Sequence, residues 1–153
     1  MRIPSILFLL LAGFTMAAQT SSVTYLPSDK VDAAFAKGMT MLEGTGYKIL
    51  ASRREADGQA EVHDRDIDII YFLGGAATLV TGGQVPDAKV TAPEERRGAS
   101  IADGENRRVK KGDIVVIPNG TPHQFKDVTA PFTYYVVKVR TATAPAGNSR
   151  QSK

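Results

Sequence analysis

Two histidines, His63 and His123, and no cysteine make up the whole imidazole and thiol inventory of this chain. A thiol nucleophile, a thiolate metal site and a disulfide are thereby excluded, and a three-histidine metal site cannot form within one chain. Glu61 stands two residues before the first histidine and Asp68 five residues after it. Alternate side chains of a strand share a face, so Glu61 and His63 project together. A following strand turns Asp68 to the same side if Ile70 and Phe72 also face inward. His123 lies 60 positions beyond His63. If the two rings meet, two nitrogens and two carboxylates form a site for one divalent ion, with Fe, Mn, Ni, Zn and Cu all suited to it. Two imidazoles and one carboxylate with open positions are the facial arrangement of non-haem iron chemistry, and the same open positions let a metal polarise a carbonyl or enediol. Glu61, or Asp68, is then a candidate general base when it is not a ligand. The plainer reading is a metal-free pocket in which Glu61 pairs with an internal Arg or Lys, and a surface Asp68 if the register slips by one.

The elements that must position these residues read as strands. Tyr47–Arg53, Gln59–His63, Asp66–Leu73, Ala76–Thr81, Asp113–Ile117, Thr121–Phe125 and Phe132–Arg140 are β-branched or alternating runs, with shorter pieces at Ala99–Ala102 and Arg107–Val109. Gly, Pro and Asp turns separate them, and Gly74-Gly75 breaks one run from the next. One short helix is predicted over 29–37, capped by Ser28 and closed by Gly38, with Val31, Ala34 and Phe35 on one face. Residues 84–98 read as a long polar loop. Many short strands without a sustained helical period predict an all-β sandwich or barrel.

The segment from Gly112 to Asp127 holds Gly112, Pro118, Gly120 and His123 at intervals of six, two and three. It closely resembles the second signature of the cupin family, which ends in Asn where this chain has Asp127. The family's first signature is His, one residue, His, three or four residues, Glu, six residues, Gly. Here Glu61 stands at the first His place, His63 at the second, Asp68 at the Glu place and Gly75 at the Gly place. The resemblance spans residues 45–140 and implies a double-stranded β-helix, or jelly roll, with a central pocket. It also implies a metal held by His63, His123, Asp68 and Glu61, and pairing of two copies as a homodimer through edge strands such as 47–53 or 132–140.

Residues 1–18 read as a cleaved signal peptide: a basic start at Arg2, an apolar stretch over 3–14 and small residues at Ala17-Ala18. The apolar stretch is shorter than a membrane span needs, so the expectation is a secreted or periplasmic protein with no stable span after cleavage. The remaining divisions are a helical extension over 19–44, a barrel over 45–141 and a disordered tail over 142–153. The net charge of +3 does not signal nucleic acid: without Arg2, Arg150 and Lys153, 16 basic residues face 16 acidic ones. The runs Arg96-Arg97 and 107–111 read as solvated charge. No serine sits in a nucleophile elbow, and the glycine pairs at 74–75 and 82–83 form no dinucleotide fingerprint. Tyr71, Phe72, Phe125, Tyr134 and Tyr135 divide between core and pocket wall. The functional expectation is metal-dependent oxidation, isomerisation or lyase chemistry on a small sugar-like or phenolic substrate. The alternative is a non-catalytic module for a small ligand.

Overall fold

A computed structural model describes residues 23–141. The expected signal peptide and the expected tail over 142–153 lie outside the described residues. Among the described residues one helix, α1 (Ser28–Lys37), precedes nine strands: β1 (Thr40–Gly44), β2 (Tyr47–Arg54), β3 (Ala60–His63), β4 (Asp66–Thr81), β5 (Lys89–Ala92), β6 (Glu95–Gly98), β7 (Glu105–Lys110), β8 (Ile114–Ile117) and β9 (His123–Arg140). All pairings are antiparallel.

Two long strands organise the molecule. β4 and β9 pair along most of their lengths and each passes through both layers. Their Asp66–Gly74 and Thr133–Arg140 halves belong to a layer ordered β1-β2-β9-β4-β8, and their other halves to a layer ordered β5-β6-β3-β9-β4-β7. This is the double-stranded β-helix that the motifs imply.

The corner lies at Gly74-Gly75, where the register between β4 and β9 shifts. The glycines, expected to break the strand, do not end it; they bulge it, which bends a strand without breaking it. Gly75 has φ 71°, and a Cβ there would stand 2.5 Å from the carbonyl oxygen of Thr129 and 2.7 Å from that of Pro131, so no side chain fits. Opposite it, β9 runs unbroken through residues expected to separate two strands, with a cis bond at Ala130–Pro131.

The core fills the space between the layers. Phe72, Phe125, Phe132 and Tyr134 form a cluster with ring centroids 5.0 to 5.9 Å apart. Ile70, Leu79, Ile117 and Val136 surround them. Phe72 and Phe132 are wholly buried. Phe72→Ala is expected to destabilise the fold by about 3–5 kcal/mol, read as a lower urea midpoint with an unchanged slope.

Five further expectations change. Ser28 is the first helical residue and not the cap; Pro27 holds that place and its carbonyl accepts the first amide bonds. The extension over 19–44 ends in a strand, because β1 continues the layer beside β2. The 84–98 segment is a hairpin, β5–β6, whose inner strand pairs with β3. Ala99–Ala102 makes only an isolated bridge from Ala102 to Gln84. The 47–53 and 132–140 strands are not edges, since β2 lies between β1 and β9 and β9 between β2 and β4.

Candidate metal centre

Backbone pairing brings the two histidines together. Glu61 of β3 lies opposite His123, the first residue of β9. The amide of Gly120 donates to the carbonyl of His63 at 2.7 Å, and the Asn119 side chain donates to the carbonyl of Asp64. The turn before β9 is thus tied to the end of β3. Gly120 supplies the positive φ (78°) that this turn requires. The imidazole centroids end 5.1 Å apart.

Four donor atoms converge at this point. His63 Nε2 is 3.6 Å from Glu61 Oε2 and 3.6 Å from Asp68 Oδ2; His123 Nε2 is 3.9 Å and 3.8 Å from the same atoms. These separations exceed hydrogen-bond length. They are close to the ~3.3–3.6 Å that separates donors around a tetrahedral ion with ligands at ~2.0–2.2 Å. His63, Asp68 and His123 are about 5% exposed or less. His63 Nε2 is buried and has no hydrogen-bond partner, an expensive state for a polar atom that an ion would relieve. His123 Nδ1 lies 3.1 Å from the carbonyl of Thr121. A carbonyl only accepts, so Nδ1 carries the proton and Nε2 presents its lone pair to the centre. The residues therefore fit a metal ion.

The carboxylates differ in how firmly protein cations hold them. Glu61 turns Oε1 toward Arg97 at 3.1 Å and Arg54 at 3.6 Å, leaving Oε2 toward the rings. Glu61, His63 and His123 bring one donor atom each within 4.8 Å of one another. Asp68 is buried and inward, not on the surface, but Lys138 donates to both its oxygens at 2.7 and 2.9 Å. Any ion that takes Asp68 as a fourth ligand competes with that ammonium.

Burial favours neutral groups here, and charge decides the rest. Burial would raise the Glu61 carboxyl, but the contact with His63 and the charges of Arg97, His123 and Arg54 outweigh it and lower the pKa to about 2. A carboxylate so stabilised is a weak base and a ready ligand. Burial lowers His123 below the ordinary 6.5, assisted by His63 and opposed by Asp68, the Thr121 carbonyl and Glu61. Metal-free protein is expected to lose stability on acidification in two stages. Between 6.5 and the depressed value of His123 the unfolded chain binds the extra proton, so stability falls with pH. Glu61 contributes stability above 4.5 that is lost as pH falls toward 2. Urea midpoints against pH should show this, and Glu61→Gln should flatten the limb below pH 4.5.

The site opens into a cavity of about 310 Å³ whose wall includes Ser52, Arg54, Gln59, Arg97, Tyr134 and Lys138. Arg54 Nε donates to the Tyr134 hydroxyl at 2.7 Å, and its guanidinium lies over the Phe125 ring. Tyr134 and Phe125 therefore line the cavity as well as the core, whereas Tyr71 and Tyr135 meet on the outer face of the sheet. Arg54 and Lys138 did not stand out in the sequence, and Arg97, expected as solvated charge, instead pairs with Glu61 in the cavity wall. Alternation from Glu61 and Asp68 carries the signal for two of them, because Arg97 is the cross-strand partner of Glu61 and Lys138 that of Asp68.

No protein-family profile and no curated protein sequence matches the chain. Among solved structures it is similar to BH2720 from Bacillus halodurans, at 12% identity and TM-score 0.56 over 82% of this chain and 86% of that one. Protein NMB1881 from Neisseria meningitidis aligns at 11% identity and TM-score 0.50 over 76% of this chain and 99% of that one. A cupin-2 domain containing protein from Shewanella frigidimarina aligns at 14% identity and TM-score 0.47, over 74% and 91%. At such identities the likeness is one of fold.

Proposed function

We propose that this double-stranded β-helix is a cupin that binds one divalent metal ion through Glu61, His63 and His123 and acts with it on a small oxygen-rich substrate, sugar-like or phenolic. The observation that carries this is the buried, unpartnered Nε2 of His63, aimed at the point shared by His123 Nε2 and Glu61 Oε2. A bound ion would supply Lewis acidity or redox capacity at the cavity floor, the basis for oxidoreductase, isomerase or lyase chemistry. The chain's own groups do the rest. Arg97 and Arg54 fix the Glu61 carboxylate, and the Tyr134 hydroxyl and Gln59 offer hydrogen bonds to substrate hydroxyls. Elemental analysis after reconstitution, followed by oxygen uptake or product formation with sugar and phenolic panels, tests both halves of the reading.

One observation favours a second reading. The Arg97–Glu61 ion pair already satisfies one oxygen of the carboxylate that replaces the family's first histidine. With that pair intact the pocket can hold a small ligand without performing chemistry. Metal-loaded protein that binds such ligands and turns none over would establish the binding module.

The reading includes export. It is supported by the basic start, short apolar stretch and small residues of 1–18. Among the described residues no helix is long and apolar enough to cross a membrane. Mass spectrometry of the exported protein should find an N-terminus near Ala18 or Gln19, and an intact Met1 would overturn this.

A further inference from the structure

Four basic and four acidic side chains line the cavity that opens from the candidate metal centre, so the lining balances its own charge. A divalent ion would add positive charge that no lining group offsets, in surroundings where charge is poorly screened. Three of the basic groups are committed to carboxylates. Lys48 meets Glu43 at 3.2 Å, Lys138 meets Asp68 at 2.7 Å, and Arg97 meets Glu95 at 2.6 Å and Glu61 at 3.1 Å.

Arg54 differs. A guanidinium carries five N–H donors. Among the described residues this one makes a single side-chain hydrogen bond, from Nε to the neutral Tyr134 hydroxyl. Its closest carboxylate oxygen, Glu61 Oε1, lies 3.6 Å from Nη2, beyond hydrogen-bond length. The side chain is only 25% exposed, and a charge so far withdrawn from water is costly while its donors stay unused. The Phe125 ring lies 5.5 Å from Cζ and steadies the plane of the fork. Nη1 and Nη2 therefore keep donors for a ligand in the cavity that Arg54 lines.

We infer that the substrate is a small carboxylic acid whose carboxylate docks on Arg54, with a second oxygen of the same molecule directed to the metal centre. This rests on the reading of the cavity as the substrate site, and narrows its sugar-like or phenolic occupant to a sugar acid or a phenolic acid. The planar fork matches a carboxylate in two parallel hydrogen bonds. A phosphate dianion would ask for a second cation, and the other three are held by protein carboxylates. Arg54 approaches Oε1 of Glu61 while the imidazoles approach Oε2, so the guanidinium and the donor cluster stand one carboxylate group apart. That span suits an acid with a hydroxyl or carbonyl close to its carboxylate, and a cavity of about 310 Å³ suits a small one. The negative charge of the acid also offsets part of the charge that an ion brings.

Calorimetric titration of the full-length chain, metal-free and zinc-loaded, tests this with matched probes: glucuronate against glucose, and 4-hydroxybenzoate against phenol. In at least one pair the acid is expected to bind at least about tenfold more tightly than its neutral partner, with an affinity that falls as NaCl is raised. Arg54→Met keeps an unbranched stem over Phe125 and should bring the acid down to the neutral level. Arg54→Lys keeps the charge without the fork and should retain part of the preference. Melting profiles check that both variants fold, and the comparison of acid with neutral probe in the wild type depends on neither. Absence of binding, or equal affinity within both pairs, would overturn the inference. So would an acid preference undiminished in folded Arg54→Met, or tighter binding of glucose 6-phosphate than of glucuronate. Zinc stoichiometry is read separately. A chain that takes no zinc but keeps an Arg54-dependent acid preference loses the metal and keeps the acid site; one that takes zinc without preferring acids loses the acid site alone.

Discussion

His63→Ala and His123→Ala should each abolish stoichiometric metal binding, taking the reconstituted protein from one ion per chain to a small fraction of one. Among the described residues, only Glu61 and Asp68 offer further donors at the centre, and both are engaged by cations of the protein. With one imidazole gone, an ion must draw on a carboxylate that Lys138 or Arg97 already holds. The expected loss exceeds the 10–100-fold reached by disturbing outer-shell partners alone. Elemental analysis after dialysis gives the stoichiometry, and competition with a chromophoric chelator gives the affinity. Retention of a full equivalent by both variants would remove the metal from the function. The alanine variants must also melt normally. The His63 variant is expected to do so without difficulty, because it deletes a buried nitrogen that has no partner in the metal-free state.

Lys138→Met should be the most destabilising of the pocket substitutions. The side chains of Asp68 and Lys138 are 6% and 17% exposed, and the ammonium meets both carboxylate oxygens. Removing the cation leaves a buried charge without compensation, a loss of about 3–5 kcal/mol. Two controls separate this from mere loss of packing. Asp68→Asn/Lys138→Met removes both charges and should recover most of the stability, giving a coupling of opposite sign in the double-mutant cycle. A divalent ion should also stabilise Lys138→Met more than it stabilises the wild type, because the freed Asp68 becomes available as a fourth donor. Denaturant midpoints of the four proteins with and without metal provide the comparison. Additive losses across the cycle would show that the pair is not an energetic unit.

The hairpins and the histidine constellation were legible because their signals are local. The Gly112–His123 spacing encodes a strand, a turn with positive φ at Gly120 and the start of the next strand, all within a dozen residues. Alternation then placed Glu61, His63 and Asp68 on one side. The strand breaks were misread because glycine has two uses: Gly74-Gly75 can end a strand or bend it, and only pairing with β9 decides. Residues 84–98 looked like a loop because β5 is exposed at every position and β6 carries charge. Their pairing with β3 is long-range, and the same pairing hid Arg97. Lys138 was hidden for a related reason. A lysine near the end of a strand reads as solvated, and its partner lies 70 residues away.

The backbone bond from Gly120 to His63 and the pairing of Glu61 with His123 are made between protein groups alone. On the proposed metal-binding reading, these pairings position the donors, unlike the small domains that stay unfolded without zinc. A site formed in advance, with nitrogen and oxygen donors common to several ions, ranks them largely by intrinsic affinity, with copper and zinc ahead of iron and manganese. On the proposed metal-binding reading, the ion carried then depends on the free concentrations where the polypeptide completes its fold, and the address of folding, more than the donor set, would select the cargo.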